Sequence, residues 1–195
     1  MSKPQRATKV LVLMGSPRPE GNSSILAEEA LAGAREAGAE VAAFRLAELR
    51  INPCRACEGC RKRGAAGCVQ KDDMQKLYPR LKEADALIIA GPVYWFTMCG
   101  QVKLFMDRLY ALGAENYAAL KGKRIGIILT YADADPFASG AVNALRAFQD
   151  AFAYVGAPIA GMVYTSAGKA GEVRKNAGAM KDAFELGREL AAANT

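Results

Sequence analysis

The sequence predicts an α/β protein built on a doubly wound, five-stranded parallel sheet with helices on both faces. Five short apolar runs, rich in Val, Ile and Leu, alternate with five amphipathic stretches along the chain. Strands covered on both faces have such continuous apolar runs, and their alternation with helices indicates βαβ units. Three irregular polar stretches directly follow strands, and doubly wound sheets bind their ligands at that edge.

The apolar runs predict strands over residues 9–15, 40–46, 85–92, 124–130 and 157–164. The amphipathic stretches predict helices over residues 24–37, 72–83, 100–112, 138–155 and 172–191. We expect Asp72 to cap the second helix, and Gly38 and Gly156 to end the first and fourth. The least regular stretches are 16–23, 47–71, 93–99 and 131–137. Nothing in the composition marks a linker, so we expect one domain over residues 1–195.

Composition excludes several function classes. The chain has 195 residues, a net charge of +6 and no histidine. Without histidine there is no Ser-His-Asp or Cys-His catalysis and no histidine metal ligand. The chemistry must therefore come from a cofactor, cysteines or carboxylates. The Lys and Arg residues are dispersed, which favours a solvated surface over a nucleic-acid site. No apolar run approaches the roughly 20 residues of a membrane span, and no export signal is evident. We expect a cytoplasmic protein.

The segment GSPRPEGNSS over residues 15–24 has the composition of a phosphate site. Ser16, Asn22, Ser23 and Ser24 supply short polar groups, Arg18 supplies a charge, and the following helix offers free N–H groups. The segment lacks the Gly-Lys-Ser/Thr of a Walker A loop and the G-x-G-x-x-G of a dinucleotide site. The alternative is an ordinary polar turn with a serine cap.

The segment GPVYWF over residues 91–96 places three aromatic residues at the end of a strand. Successive strand residues point to opposite sides, so Tyr94, Trp95 and Phe96 cannot all enter one core. Some of them must face a ligand or a partner surface. The alternative for each ring is plain core packing.

Four of the five cysteines, Cys54, Cys57, Cys60 and Cys68, lie within fifteen residues. Their spacing, Cys-x2-Cys-x2-Cys-x7-Cys, can wrap a [4Fe–4S] cluster, with the last thiolate arriving from a glycine-containing loop. Zinc sites favour two separated Cys-x2-Cys pairs. Free or oxidised thiols, and zinc, remain open as alternatives. Cys99 lies outside the motif and is expected to be a small buried residue.

Together these motifs resemble the NADPH-dependent FMN reductase family, in its iron–sulfur flavoprotein branch. The resemblance rests on GSPRPEGNSS, on the cysteine motif, and on GPVY followed by Lys103, Phe105, Asp107 and Arg108. It implies a flavodoxin-like fold with strand order 2-1-3-4-5. It also implies FMN, with its phosphate held by Ser16, Arg18, Asn22, Ser23 and Ser24 and its ring lined by Pro92, Val93, Tyr94, Trp95 and Phe96. The four clustered cysteines would hold a [4Fe–4S] cluster, and the subunits would form homodimers or homotetramers.

Three functions follow as hypotheses. The first is an iron–sulfur flavoprotein that exchanges electrons with a ferredoxin-like carrier, which the basic residues Arg55, Arg61, Lys62 and Arg63 would attract. The second is a cluster-free reductase of flavins, quinones or azo compounds, to which NAD(P)H binds transiently. The third is a zinc-dependent module that binds nucleic acid, and it requires no flavin.

Overall fold

The computed structural model describes residues 6–62 and 64–192. Its strands are β1 (Lys9–Met14), β2 (Glu40–Arg45), β3 (Ala86–Tyr94), β4 (Thr97–Met98), β5 (Arg124–Tyr131) and β6 (Ile159–Ser166). Its α-helices are α1 (Asn22–Glu36), α2 (Met74–Glu83), α3 (Gly100–Arg108), α4 (Ala141–Tyr154) and α5 (Ala177–Ala191). The ends of the predicted domain, residues 1–5 and 193–195, lie outside the described residues, as does Arg63.

The five long strands pair in parallel in the order β2-β1-β3-β5-β6, and β4 pairs antiparallel with β3. In chain order the long strands run 2-1-3-4-5, so the predicted doubly wound, flavodoxin-like topology is confirmed. The order of the strands reverses between β1 and β3. A crevice opens at such a point, because the connections on either side leave in opposite directions.

Alternate residues of each central strand enter two separate cores. Leu11 and Leu13 of β1 face the layer of α2, α3 and α4. Val10 and Val12 face the layer of α1 and α5. Since both faces of β1 are covered, the strand has the continuous apolar sequence that predicted it. Within the described residues, no helix combines the length and the apolar character needed to cross a membrane.

The boundaries of several elements differ from those predicted. Residues 93–99, predicted to be irregular, contain the end of β3 and all of β4. The helix predicted over 100–112 is α-helical only to Arg108, and a 3-10 segment, Leu109–Glu115, continues it. Gly38 and Gly156 do follow α1 and α4 with positive φ.

The prediction that Asp72 caps α2 is confirmed only in part: Asp72 Oδ1 accepts from Met74 N, the first residue of the helix, over 3.2 Å, but Asp72 lies one residue further from the helix than predicted. Asp73 occupies the position before the helix. The side chain of Asp72 is fully buried and pairs with Arg108. The ion pair is the larger contribution of Asp72 to stability, because leaving the buried Arg108 charge unpaired would cost several kcal/mol, of order 3–5.

Candidate functional site

Three loops meet at the carboxyl edge of the sheet. The chain leaves β1 at Gly15, whose N–H donates to Ala90 O of the neighbouring β3 over 2.7 Å. One strand further, Pro92 of β3 lies beside Thr130 of β5. The loops that follow β1, β3 and β5 therefore leave the sheet side by side at the switch point.

The loop after β1 ends in two buried hydroxyls that have no partner. Ser23 and Ser24 are each 1 % exposed, at the start of the 15-residue helix α1. Neither Oγ has a hydrogen-bond partner among the described residues. Among the described residues no side-chain hydrogen bond caps α1, and since Ser24 N already donates to Gly21 O, the N–H groups of Asn22 and Ser23 are the available ones. Buried polar groups are almost always satisfied, and a helix N-terminus attracts anions. The donor set therefore fits a phosphate group.

Gly21 is required by the close packing of this loop. A Cβ at position 21 would lie 2.0 Å from Ser16 Oγ. Ser16 is itself buried and accepts a hydrogen bond from Arg18 N over 3.2 Å. The backbone can fold this tightly only without a side chain at position 21, which keeps the start of α1 open to a ligand.

The five predicted phosphate residues do not all have free side chains. Asn22 Nδ2 donates to Ala167 O and Lys169 O, over 2.9 and 2.8 Å, and Asn22 Oδ1 accepts from Val173 N. The Asn22 side chain thus ties α1 to the loop after β6, which leaves only its backbone N–H for a ligand. The Arg18 side chain is exposed, and within residues 6–62 and 64–192 no carboxylate pairs with it.

The aromatic segment forms a two-residue hairpin turn between β3 and β4. Val93 pairs with Met98 and Tyr94 with Thr97, which leaves Trp95 and Phe96 as the turn. Their φ angles are +51° and +65°. Such turns favour Asn-Gly, because positive φ strains a bulky residue. Strain of this kind costs about 1–3 kcal/mol per residue and is concentrated at functional sites.

The turn presents its aromatic rings to the outside. Tyr94, Trp95 and Phe96 are 40 %, 92 % and 57 % exposed. All three rings leave the core, as the sequence predicted for some of them. Pro92 and Val93 are partly buried beneath them.

The loop after β5 supports this turn from below. A Cβ at Gly140 would lie 2.5 Å from Phe96 Cα, and Gly140 has a φ of +75°. Asn143 Nδ2 of α4 donates to Phe96 O over 3.0 Å. These contacts hold the strained turn in place next to the phosphate loop. Cys99 is fully buried behind it, as predicted, with its Sγ 3.4 Å from Gly15 O.

The four clustered cysteines line one small pocket. Cys54, Cys57, Cys60 and Cys68 all contribute to it, and Arg108 forms part of its wall. Ala56 and Glu58, between the first three cysteines, have positive φ angles of 48° and 54°. None of the five cysteines forms a disulfide. The strained backbone turns three thiols toward a shared space.

Helix α3 and the segment after it anchor this loop. Tyr110 donates to the Glu58 carboxylate over 3.0 Å, and Arg61 lies over the Tyr110 ring at 5.3 Å. Burial raises the pKa of the Cys60 thiol. The thiol thus needs a neighbouring positive charge or a metal before it becomes a thiolate.

Arg108 crosses the base of the loop. Nη1 donates to Asp72 Oδ2 over 2.5 Å and to Asn52 O over 2.8 Å. Nη2 donates to Asp72 Oδ1 over 3.1 Å and to Cys68 Sγ over 3.3 Å. Burial alone lowers the pKa of Arg108, but the hydrogen bond to Asp72 and the interactions with Tyr78 and Cys68 together outweigh it and raise the pKa above the ordinary value. Burial likewise raises the pKa of Asp72, and hydrogen bonds from Arg108 and the backbone bring it below its usual range.

Among residues 6–62 and 64–192, no three His, Cys, Asp or Glu side chains are close enough together to hold a single metal ion. A zinc ion would draw its thiolates to about 2.3 Å from one centre. A cluster binds each thiolate to a different iron and spreads them further apart. The four thiols around this pocket are the residues that would hold a cluster.

Comparison with known proteins assigns the chain to a family. Residues 8–172 match the model of a family described as NADPH-dependent FMN reductase. The chain belongs to this family. Flavodoxin-like members of doubly wound folds bind FMN at the switch between β1 and β3, where the unpartnered serines lie.

The relatives of this chain include iron–sulfur flavoproteins. One from Archaeoglobus fulgidus is 39 % identical over 124 residues, which are 64 % of this chain and 54 % of that protein. One from Methanocaldococcus jannaschii is 41 % identical over 100 residues, which are 51 % of each chain. The chain thus matches about half the length of these curated relatives.

Solved structures share the fold at low identity. An NAD(P)H:quinone oxidoreductase from Methanothermobacter marburgensis superposes with a TM-score of 0.73 at 17 % identity, covering 97 % of this chain and 100 % of that one. A flavodoxin from the domain Archaea gives 0.59 at 14 % identity, covering 94 % and 96 %. These structures have the same fold as this chain.

Proposed function

We propose that this chain is an FMN-dependent oxidoreductase that also holds a [4Fe–4S] cluster, in the manner of the iron–sulfur flavoproteins it resembles. The observation that carries the FMN site is the pair of buried, unpartnered hydroxyls of Ser23 and Ser24 at the start of α1. The observation that carries the cluster site is the single pocket lined by Cys54, Cys57, Cys60 and Cys68.

In this proposal FMN supplies two-electron chemistry and the cluster supplies one-electron transfer, while the protein provides position and charge. Ser16, Ser23, Ser24, Arg18 and the backbone N–H of Asn22 hold the phosphate. The rigid turn through Trp95 and Phe96, with Pro92, Val93 and Tyr94 beneath it, lines the flavin ring. NAD(P)H would bind transiently over the open face of the ring.

A cluster-free, NAD(P)H-dependent reductase is the second candidate. It is favoured by a relative whose name describes this activity. A putative NAD(P)H-dependent FMN-containing oxidoreductase from Bacillus subtilis is also 33 % identical over 100 residues, 51 % of each chain. Both candidates require FMN, which the hypothesis of a nucleic-acid module does not.

An acidic, ferredoxin-like carrier is the proposed one-electron partner. Arg55, Arg61 and Lys62 are exposed beside the cysteine pocket. Opposite charges steer association and lose their effect as salt screens them. Electron transfer with an acidic carrier should therefore slow steeply between low and physiological salt, and a flat response would remove this partner.

We further propose a homo-oligomer in the cytoplasm. Trp95, Phe137 and Tyr154 are 92 %, 76 % and 78 % exposed, and contact with a second subunit would remove these rings from water. The cytoplasm would keep the clustered thiols reduced. Light scattering on a gel-filtration column tests the assembly, since a monomer at micromolar concentration would contradict it.

Anaerobic reconstitution with iron and sulfide distinguishes the two candidate functions. The cluster proposal predicts about four iron per chain for the natural sequence. It predicts a large loss of iron for Cys57→Ser and no loss for Cys99→Ala, whose thiol lies outside the pocket. Equal, near-zero iron in all three proteins, together with bound FMN that NAD(P)H bleaches, would establish the cluster-free reductase instead.

A further inference from the structure

Arg108 is the largest fully buried side chain among the described residues, and it carries a charge. Its side chain is 1 % exposed and that of Asp72 is 0 % exposed. A bidentate pair with one carboxylate would satisfy two of the five guanidinium N–H groups. Arg108 makes two additional contacts, to Asn52 O and to Cys68 Sγ.

The contact with Cys68 distinguishes this ion pair from a simple structural one. Cys68 is separated from the Cys-x2-Cys-x2-Cys run by a loop that contains Gly64 and Gly67, both with positive φ. A flexible loop does not by itself fix the last thiol. Gln75 Nε2 donates to Cys68 O over 2.9 Å and restrains the backbone, and Arg108 restrains the sulfur.

Arg108 also reaches the pocket in which the four cysteines meet. Its charge lies there at 3.3 Å from one sulfur and is shielded from water, so salt screens it little. Reduction of a group held by these cysteines adds negative charge to the pocket. Hydrogen bonds to ligand sulfurs and nearby charges are among the factors that set the potential of an iron–sulfur cluster.

We propose that Arg108, held in place by Asp72, is a positioning residue that fixes Cys68 as the fourth thiolate and donates a hydrogen bond to it, which raises the reduction potential of the cluster. This inference rests on the proposed cluster function and goes beyond it. It assigns to the last residue of the α3 motif a role in electron transfer as well as in packing.

Arg108→Lys tests the inference while keeping the charge. A Lys ammonium has no planar fork, so it cannot pair with Asp72 and reach Cys68 in the same geometry. A double variant, Arg108→Gln with Asp72→Asn, removes both charges together and leaves no buried charge unpaired. Lys103→Gln is the matched control, because Lys103 lies on the same helix with its side chain 59 % exposed.

The measurements are iron content, circular dichroism and the midpoint potential of the cluster, obtained by an EPR-monitored redox titration. We expect folded Arg108→Lys and the double variant to show either lower iron occupancy or a lower potential. The equilibrium constant for one-electron reduction should fall by roughly tenfold or more, which corresponds to about 59 mV. Lys103→Gln should match the natural sequence in both. If Arg108→Lys does not fold, the iron content and midpoint potential of the double variant test the inference instead.

Full iron content with an unchanged potential in the folded variants would overturn the role of Arg108 and leave the cluster in place. A natural chain that takes up no iron or sulfide would instead overturn the proposed function and, with it, this inference. The two failures are therefore distinguished by the natural chain alone.

Discussion

Ser24→Ala should stabilise the flavin-free protein and at the same time weaken FMN binding. The Ser24 hydroxyl is buried at the start of α1, and none of the residues that the structure describes forms a hydrogen bond with it. An unsatisfied buried polar group costs about 1–3 kcal/mol, so its removal should raise the free energy of unfolding by about that amount. The better helix propensity of Ala accounts for only about 0.5 kcal/mol of the gain.

The loss of affinity follows from the same hydroxyl. A hydrogen bond to a charged phosphate is worth about 1.5–3 kcal/mol, so Kd for FMN should rise by roughly 10- to 150-fold. Urea unfolding of the flavin-free protein and titration of FMN by fluorescence quenching measure the two effects. Ser139→Ala is the control, because Ser139 is buried but donates to Pro136 O and accepts from Ala141 N. That variant should lose stability. The reasoning fails if Ser24→Ala also loses stability and binds FMN as tightly as before.

Three further variants test other parts of the site and the fold. Gly21→Ala should weaken FMN binding by about 5- to 150-fold, since its Cβ would meet Ser16 Oγ at 2.0 Å. Gly178→Ala, whose Cβ would have only an ordinary 3.5 Å contact, should bind FMN normally in the same titration. Replacing the turn Trp95-Phe96 by Asn-Gly should relieve the positive-φ strain and stabilise the flavin-free protein by at least about 1 kcal/mol in a thermal melt. It should also weaken FMN binding, and unchanged binding would remove the turn from the site. The hydrogen bond from Arg6 lowers the pKa of Asp85, so this carboxylate stabilises the fold above about pH 4 and loses that effect as pH falls through the lowered value. Asp85→Asn should therefore reduce the free energy of urea unfolding more at pH 7 than near pH 2, and an equal loss at both would exclude a charge effect.

The sequence predicted the features that depend on local patterns. The strands were predictable because both faces of the sheet are buried, as Val10 and Leu11 on opposite sides of β1 illustrate. The polar helix start after β1 was predictable because Ser23 and Ser24 follow a strand and begin a helix. In both cases the neighbours that matter lie close in the chain.

The features that the sequence did not predict depend on distant contacts. Asn22 was expected to use its side chain on phosphate, yet that side chain binds Ala167 O, 145 residues away. The pairing of Asp72 with Arg108 spans 36 residues, and the sequence predicted only the bond of Asp72 to the start of α2. A sequence pattern contains the residue types for such contacts but does not show which partners the fold brings together.

The left-handed turn was missed for a different reason. The usual sequence signal for a two-residue hairpin is Asn-Gly or Asp-Gly, and Trp95-Phe96 is its opposite. Contacts from Gly140 and Asn143 stabilise a turn that the two residues do not favour on their own. The sequence singled out the aromatic residues but did not predict the positive φ angles of Trp95 and Phe96.

A crystal structure of protein loaded anaerobically with FMN, iron and sulfide tests the central claim most directly. We predict phosphate density at the start of α1 within hydrogen-bond distance of Ser23 Oγ and Ser24 Oγ, the flavin ring against the Trp95-Phe96 turn, and a [4Fe–4S] cluster bound by all four clustered cysteines. Phosphate density elsewhere would contradict the FMN site. A disulfide or a single tetrahedral ion among Cys54, Cys57, Cys60 and Cys68 would contradict the cluster.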